Sequence, residues 1–600
     1  MSTHTSHTAK STDTTHHAPA THGTPTASRP VTAVVGLGTV GEAFLRLAHA
    51  AGHRVIGVDT DPDAVARADR RLKASAGADT AGETHLTDDL AALSGADVVI
   101  EAVGDDLADK ARLLRRIGGL SPAPVVTTTA GLSLAELAIA SGRPGTLAGL
   151  RFLVPPGPGG TVEAVTTTLT APATTTAVQS LIASLGLKPV SSLGVQPATD
   201  ATALVLAQLN RAVSFLEAGH ATRDDIDTAM RLGCGLPAGP LRLLDTFGLD
   251  TAHSLLTGLH HATGQACFRP APLLSRLVAT GRLGRKSGEG FHTWDDEGRT
   301  VHDTTALAPA GTATRHVRTV AVVGSGTMAR GIAEVCATAG HPTVLVARSD
   351  DKAAAALAAI EQSLTRSVRR GRVTAQQKAA ALAALTPAAT VDAVSGRDLV
   401  IEAVAEDLAV KRDLFARLGR LTAAHGTILA TTTSSLPVAT CAEASGRAAD
   451  TIGLHFFNPA PALRLVEVVR TPDTTDAVHA AANAFVGGLG KTAVTCPDRA
   501  GFIVNCLLFP YLGQAVRLLH RPGTSIDAID AAVRDGFGYP MGPFELLDTI
   551  GLDVSLAIQQ RLYDDLADPD QEPAPLLAAL AGTGALGRKN GRGFRTATAA

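Results

Sequence analysis

The chain of 600 residues contains one unit twice, over residues 31–295 and 317–600. Matching segments recur in the same order, as the pairs 32–44 and 320–332, 98–103 and 399–404, 127–132 and 431–436, 150–156 and 454–461, 226–250 and 529–553, and 283–291 and 586–594. Self-similarity over such long segments restricts the fold to two copies of one architecture joined in tandem. Differences between the copies then separate residues that the fold needs from residues that chemistry needs.

Bulk composition narrows the class of protein. Six hundred residues exceed what one core supports, which predicts about four domains. The net charge of −3 gives no basis for a nucleic-acid or anionic-membrane partner, and no apolar run approaches the ~18 residues that span a bilayer. Six cysteines without CxxC spacing indicate free thiols rather than a metal site. We therefore expect a cytoplasmic protein with neither kind of partner.

Each unit divides into two parts. Its first part alternates apolar strand-like runs with helical segments, which predicts a mostly parallel sheet with helices on both faces. Its second part has helical period interrupted by Gly-Pro breaks. The predicted fold is thus an α/β Rossmann-like domain followed by an all-α domain, occurring twice, at 31–194 and 195–295 and again at 317–497 and 498–600. The polar stretches 1–30 and 296–316 are predicted to be a disordered tail and a linker.

A glycine-rich turn between a strand and a helix opens each Rossmann-like part. In the second copy it reads Gly324-Ser-Gly326-Thr327-Met328-Ala329. Glycine lets the backbone turn tightly and approach a pyrophosphate, which then rests on the helix N-terminus. The second copy is therefore predicted to bind a dinucleotide here.

The residue that ends the second strand bears on which dinucleotide binds. A carboxylate there binds the ribose 2′-hydroxyl and repels a 2′-phosphate. The first copy has Asp59, whereas the second has Ala347 followed by Arg348 and Ser349. An arginine without a competing carboxylate favours NADP(H). The alternative is that Arg348 stacks on adenine and that NAD(H) serves as well.

His455 and Glu467 are the candidate catalytic pair. They lie twelve residues apart on two strand-like segments joined by a turn at Asn458-Pro459. A carboxylate on one ring nitrogen fixes the tautomer and raises the basicity of the other. Such a pair suits the removal of a hydroxyl proton while hydride leaves the adjacent carbon.

The second copy resembles the short-chain 3-hydroxyacyl-CoA dehydrogenase family over its whole length. The resemblance is carried by the segments 401–411, 431–436, 453–469, 498–512, 538–548 and 586–594. It implies that His455 is the base and Glu467 its partner, and that Ser434 and Asn505 hold the polar groups of the substrate. It further implies nicotinamide-cofactor contacts at Glu406, Lys411, Ser434, Asn458 and Lys589, and coenzyme A contacts at Ser363 and Arg370, where the family usually has Lys. The family usually has Asp where this chain has Ala347.

The first copy has lost most of this set. Arg151 replaces His455, Ala130 replaces Ser434, Val154 replaces Asn458 and Thr202 aligns with Asn505, although Glu163 persists. Arginine cannot act as a base at neutral pH. Between its glycine loop and the segment 98–103, the first copy is also about 13 residues shorter, in the region that matches part of 361–385. We expect it to be catalytically inactive; its glycine loop either still binds a nucleotide or persists because the loop packs the sheet.

The family resemblance also implies pairing through the helical domain. Because linkage raises the effective concentration of the second copy, we expect the two copies to form an intramolecular pseudo-dimer, to which further homo-oligomerisation can be added. The predicted reaction is the interconversion of a short-chain (S)-3-hydroxyacyl-CoA and a 3-oxoacyl-CoA. Two alternatives stay open: a hydroxy-acid or sugar-acid dehydrogenase without coenzyme A, and a non-catalytic nucleotide-binding scaffold.

Overall fold

The computed structural model describes residues 29–75, 83–129, 132–152, 156–189, 197–295, 297–301, 315–521 and 524–595. The predicted tail, most of the predicted linker, and two positions compared above, Ala130 and Val154, lie outside these residues.

The first copy opens with a sheet whose strands have the order β3-β2-β1-β4-β5-β6-β7-β8. Neighbouring strands run parallel except for the antiparallel pair β6 and β7. The strands are β1 Val31–Val35, β2 Arg54–Val58, β3 Thr84–Thr87, β4 Val98–Glu101, β5 Val125–Thr127, β6 Leu147–Arg151, β7 Thr161–Val165 and β8 Lys188–Pro189. The helices are α1 Thr39–Ala50, α2 Pro62–Ser75, α3 Leu107–Leu120, α4 Leu134–Ala140 and α5 Pro172–Ser184.

Helices then follow one another to the end of the first copy. They are α6 Pro197–Glu217, α7 Arg223–Gly233, α8 Pro240–Phe247, α9 Leu249–Thr263 and α10 Pro272–Ala279. A short hairpin of β9 Thr293–Trp294 and β10 Thr300–Val301 closes the unit. Strand β10 of this hairpin lies within the stretch 296–316 that was predicted to be a linker. Arg299 binds the carboxylates of Asp295 and Glu297, which holds this turn together.

The second copy repeats the sheet with the order β13-β12-β11-β14-β15-β16-β17-β18, and again one neighbouring pair, β16 and β17, is antiparallel. The strands are β11 Val320–Val323, β12 Thr343–Val346, β13 Leu385–Ala388, β14 Leu399–Glu402, β15 Ile428–Thr431, β16 Thr451–Phe456, β17 Leu465–Arg470 and β18 Thr492–Pro497. The helices of this part are α11 Thr327–Thr338, α12 Asp350–Arg369, α13 Ala375–Ala383, α14 Leu408–Thr422, α15 Val438–Ser445 and α16 Asp476–Gly488.

A second helical part completes the chain. Its helices are α17 Val504–Leu518, α18 Ile526–Ala531, α19 Pro543–Ile550, α20 Leu552–Leu566 and α21 Pro575–Gly582, and a π-helical turn spans Ala532–Gly536. The predicted architecture, a Rossmann-like sheet followed by helices and repeated once, is confirmed. Within the described residues, no helix is both long and apolar enough to cross a membrane.

Apolar side chains cover both faces of each sheet. In β11, Val320 and Val322 join one buried cluster, while Ala321 and Val323 join another. This alternation follows from the two-residue period of a strand, so a strand buried on both faces is apolar throughout. The carboxyl ends of the parallel strands thereby meet at one edge, where the glycine loop also lies.

The helical parts of the two copies share one hydrophobic core, because α6 packs along α17 and a single cluster of buried residues contains side chains from both. Polar contacts cross the same boundary. Arg211 binds Asp568 and Asp570 at 2.7 and 2.8 Å, and Tyr539 donates a hydrogen bond to Gln208. Each helical part also reaches the opposite sheet: α7 packs on β17 and β18, and Thr161 at the start of β7 donates to the carbonyl oxygen of Asp535.

Candidate active site

His455 and Glu467 face each other across the β16–β17 pair. Their Cα atoms are register partners in this antiparallel ladder, and His455 Nδ1 lies 2.6 Å from Glu467 Oε2. The sequence pattern of two strands joined by a turn predicted this contact. Because the carboxylate accepts the proton on Nδ1, Nε2 is the atom that remains available as a base.

The other carboxylate oxygen of Glu467, Oε1, is also hydrogen-bonded. Glu467 Oε1 accepts hydrogen bonds from the backbone amides of Ile503 and Val504, at 3.0 and 2.9 Å, where α17 begins. The side chain is fully buried. Two amide donors on one oxygen and the His455 ring on the other fix the position of the carboxylate.

Aromatic rings enclose the imidazole of His455. Phe457 and Phe502 have ring centroids 4.5 and 5.5 Å from it. Phe502 adopts φ +48°, in the left-handed region that a non-glycine residue rarely occupies. This strained backbone aims the ring at His455, and no periodicity or composition signal in the sequence pointed to it.

Ser434 and Asn505 come together near the His455–Glu467 pair, since Asn505 follows Val504, whose amide binds Glu467. The Asn505 side-chain amide donates to the Ser434 carbonyl oxygen at 3.2 Å. Ser434 in turn donates from its backbone amide to Glu406 Oε1 at 2.9 Å, and its hydroxyl lies 3.3 Å from the same oxygen. The loop after β15 is therefore tied both to α17 and to the loop that carries Glu406.

Glu406 is charged in this setting. Burial acts to raise the pKa of Glu406, but Lys411 and the hydrogen bonds from Thr433 and Ser434 outweigh it, so the pKa lies below its usual range. The Lys411 ammonium is 1% exposed and binds both oxygens of Glu402, at 2.8 and 2.9 Å, as well as Glu406 at 3.4 Å. Lys411 thus lies behind Glu406 and orients it from inside the protein.

The first copy keeps this buried ion pair. Lys110 binds both oxygens of Glu101 at 2.8 and 2.9 Å, and both side chains are fully buried. Since the pair survives where the histidine has gone, the Lys411–Glu402 contact belongs to the scaffold. Lys589 lies in the helical part of the second copy, half-exposed, where its ammonium binds Asp553.

The glycine loop of the second copy leaves room for a ligand at one position. Gly324 has φ +140°, and a Cβ there would lie 2.3 Å from the Ala403 carbonyl oxygen, so the fold itself requires this glycine. Gly326, directly before Thr327 and Met328 at the start of α11, has φ −73°, and a Cβ there would meet nothing within 4 Å. A glycine that neither backbone nor packing requires fits the close approach of a pyrophosphate.

Arg348 and Ser349 follow β12 at the same edge of the sheet. Ala347 is buried, Arg348 is exposed, and the Ser349 hydroxyl caps α12 by accepting from the Lys352 amide. In the first copy, Asp59 Oδ2 accepts the Leu37 amide of the glycine loop at 2.6 Å. No carboxylate stands at that position in the second copy.

A cavity of about 850 Å³ lies between α11, α12 and the Asn458–Pro459 turn. Ser363 and Arg370, the two predicted coenzyme A residues, both line it. The Ser363 hydroxyl binds buried Glu334, whose pKa is raised by burial against the opposing effects of Ser363 and Arg366. The cavity therefore joins the predicted substrate residues to the end of the strand that carries His455.

Several cations of this cavity were missed by the sequence analysis. They are Arg330, Arg366, Arg372, Arg464 and Lys491. One signal was available, because Ser363, Arg366 and Arg370 follow a spacing that puts them on one helix face. The others come from separate segments and meet only in the fold.

In the first copy, Arg151 occupies the register position of His455 and pairs with Glu163 across β6 and β7. Burial raises the pKa of Glu163 to about 7, against the effect of Arg151. Burial also lowers the pKa of Arg151. Glu163 Oε2 has no hydrogen-bond donor among the described residues, unlike either oxygen of Glu467.

A Rossmann-like sheet with a ligand-sized gap at its glycine loop, and a His–Glu pair at the end of a neighbouring strand, define a nicotinamide-dependent oxidoreductase. A family model described as "3-hydroxyacyl-CoA dehydrogenase, NAD binding domain" matches residues 31–194 and 319–499. A second model, "3-hydroxyacyl-CoA dehydrogenase, C-terminal domain", matches 201–294 and 501–597. The chain therefore belongs to the 3-hydroxyacyl-CoA dehydrogenase family, with its two domains present twice.

Individual relatives agree with this assignment. A 3-hydroxybutyryl-CoA dehydrogenase of Mycobacterium tuberculosis is 42% identical over 281 residues, which cover 47% of this chain and 98% of that protein. The human mitochondrial hydroxyacyl-coenzyme A dehydrogenase is 42% identical over 287 residues, covering 46% of this chain and 90% of that protein. A crystal structure of 3-hydroxybutyryl-CoA dehydrogenase from Escherichia coli K12 matches 92% of this chain and 98% of its own, at a TM-score of 0.55 and 21% identity. That similarity shows that the two-copy fold is shared.

Proposed function

We propose that the chain interconverts a short-chain (S)-3-hydroxyacyl-CoA, such as 3-hydroxybutyryl-CoA, and the 3-oxoacyl-CoA, with all chemistry in the second copy. The observation that carries this proposal is the His455–Glu467 pair, 2.6 Å apart, at a register position where the first copy has Arg151. When bound, the nicotinamide cofactor accepts or supplies the hydride at C3 of the substrate. His455 Nε2 takes the hydroxyl proton in oxidation and returns it in reduction.

The other residues of the site position the imidazole, the substrate and the cofactor. Glu467 keeps the imidazole in one tautomer and stabilises the imidazolium that forms. Ser434 and Asn505 offer polar groups to the substrate oxygens, and Gly324, Gly326, Thr327 and Met328 provide the pyrophosphate loop. The cations around Ser363 and Arg370 suit the phosphates of coenzyme A, because a polyanion needs charge rather than one particular donor geometry.

Acetoacetyl-CoA reduction tests the reaction and separates it from the alternatives. We expect turnover of acetoacetyl-CoA and little of free acetoacetate, since the cation-lined cavity recognises the coenzyme A part. Equal turnover of both would favour a hydroxy-acid or sugar-acid dehydrogenase. Absence of turnover with either substrate would favour a non-catalytic scaffold.

We further propose that the second copy prefers NADP(H). Arg348 is exposed at the end of β12 and has no neighbouring carboxylate at position 347 to repel a 2′-phosphate. The test compares kcat/KM for NADPH and NADH in the unchanged protein and in Ala347→Asp. We expect the substitution to shift the ratio towards NADH by about tenfold or more; a clear NADH preference in the unchanged protein would contradict the proposal.

The first copy is proposed to be a non-catalytic partner in an intramolecular pseudo-dimer. Support comes from the core shared by α6 and α17 and from the Arg211 contacts with Asp568 and Asp570. A tandem chain keeps these surfaces at a high effective concentration. Size-exclusion chromatography with light scattering, followed by an activity assay of the fractions, should show that a single chain is active without a second chain.

A further inference from the structure

The first copy touches the second copy beside its catalytic carboxylate. Helix α7 packs on β17, which carries Glu467, and on the edge strand β18. The Thr495 amide of β18 also donates to Asp225 Oδ1 of α7 at 3.4 Å. One element of the first copy therefore lies against β17, the strand that carries Glu467.

Gly233, the last residue of α7, makes this approach close. A Cβ there would lie 2.9 Å from Leu465 Cδ2 and 3.0 Å from Val504 Cγ2. Leu465 begins the strand of Glu467, and the Val504 amide donates to Glu467 Oε1. Gly233 has a helical backbone, which any residue can adopt. The close approach of Leu465 and Val504 therefore explains why this position has a glycine.

Cys234 follows Gly233 as the C-cap of α7. Burial is the main cause that raises the pKa of its thiol to about 12, and the charge of Glu467 adds to the effect. A neutral thiol of the first copy thus lies within electrostatic range of the catalytic carboxylate. Arg499 precedes α17, and its guanidinium carbon lies 5.2 Å from the ring centroid of Phe215 in the first copy.

We propose that α7 of the first copy forms the back wall of the active site of the second, with Gly233 packed on Leu465 and Val504 so that Glu467 is shielded from water and held in its orientation. The inference rests on the proposed function, in which Glu467 orients His455. A carboxylate shielded from water interacts more strongly with an imidazolium than a hydrated one does. Gly233 is thus a positioning residue that acts through β17 and the start of α17.

The test replaces Gly233 by valine in the full chain, with Gly258→Val as the matched control. Gly258 is a helical, exposed glycine of the first copy whose added Cβ would meet nothing within 4 Å. We expect Gly233→Val to lower kcat for acetoacetyl-CoA reduction by about 10- to 100-fold, because small displacements of catalytic groups have effects of that size. The KM for acetoacetyl-CoA should stay within about twofold, since the coenzyme A cavity lies elsewhere.

Two further measurements separate positioning from stability. The isotope effect with deuterated cofactor should rise in Gly233→Val, because a displaced base slows the chemical step, and it should not change in Gly258→Val. If Gly233→Val fails to fold, the smaller Gly233→Ala carries the same test. A Gly233 variant with a lower thermal midpoint but unchanged kcat and isotope effect would overturn the inference while leaving the proposed reaction intact.

Discussion

At the residue scale, Glu467 and Glu163 show how one register position acquires two electrostatic characters. Glu467 has a histidine on one oxygen and two backbone amides on the other. Glu163 faces Arg151, one of its oxygens has no donor among the described residues, and burial raises its pKa to about 7. The same side chain therefore has hydrogen-bond partners on both oxygens in one copy, whereas in the other it has an oxygen without a donor among the described residues and a pKa raised by burial.

His455→Gln tests the base directly. Glutamine keeps polar atoms near the site but cannot accept a proton at neutral pH, so we expect kcat to fall by about 10²- to 10⁴-fold. The KM for acetoacetyl-CoA should change little. Arg151→Gln is the matched control at the equivalent register position, and it should leave kcat unchanged; a comparable loss there would mean that the first copy takes part in the chemistry.

Glu163→Gln tests the titration in the first copy. The folded pKa of about 7 lies above the ordinary value of 4.5, so the protonated form is favoured and its stabilisation is lost as pH rises from about 4.5 through 7. Glutamine removes this dependence. Relative to the unchanged protein, we expect the variant to gain about 2 kcal/mol of unfolding free energy between pH 5 and pH 8.

Thermal unfolding at several pH values measures this difference. Its sign does not depend on any constant effect of leaving Arg151 without a carboxylate, because only the change with pH is compared. Parallel pH curves for variant and unchanged protein would contradict the assigned direction.

At the scale of elements, the two glycine loops place the same steric limits on their equivalent glycines. Gly36 and Gly324 both have positive φ, and both would clash with a backbone carbonyl if they carried a Cβ. Gly38 and Gly326, at the starts of α1 and α11, would clash with nothing. The first pair is explained by the fold, whereas the second pair is explained by space for a ligand.

Gly326→Val therefore separates binding from folding. We expect the KM for the nicotinamide cofactor to rise by about tenfold or more, because the side chain enters the space for the pyrophosphate, while the thermal midpoint stays nearly unchanged. Gly38→Val is the control in the first copy and should leave steady-state kinetics unaltered. Calorimetric titration of both variants with NAD(H) and NADP(H) would show whether the first copy also binds a nucleotide.

Much of this architecture could be read from the sequence, because buried strands and glycine loops are local patterns. The hairpin that pairs His455 with Glu467 follows from two strand-like runs around a proline turn. Edge strands were harder: β13 contains Pro387, which an edge tolerates but which weakens a strand pattern. The cations Arg372, Arg464 and Lys491 could not be grouped, because three distant segments bring them to one cavity.

At the scale of the whole molecule, α6 and α17 join the two copies through one hydrophobic core. Arg211 is the main polar link, with a side chain 20% exposed and two carboxylates of the other copy as partners. Arg521 forms a second link to Asp200 but is 48% exposed. Both links involve buried groups, because loss of Arg211 leaves two partly buried carboxylates without a cation, and loss of Arg521 does the same to Asp200, whose side chain is 9% exposed.

Arg211→Ala should consequently destabilise both copies together, by about 2–4 kcal/mol. Arg276→Ala, which breaks an exposed ion pair with Glu217 inside the first copy, is the control and should cost about 1 kcal/mol or less. The chain offers two separate probes, because its single tryptophan, Trp294, lies in the first copy and its three tyrosines lie in the second. Urea unfolding followed by both signals should give coincident transitions; separated transitions would show that the copies unfold independently.

The shared core of α6 and α17 also changes how such a protein can evolve. In a dimer of identical chains, every mutation is installed on both sides of the interface at once. Here the Arg211 and Arg521 contacts belong to different sequences, so each can drift, or be compensated, by itself. Under the proposed function, one half is released from selection for turnover while it remains under selection for shape, so a tandem gene can specialise its halves and keep their contact.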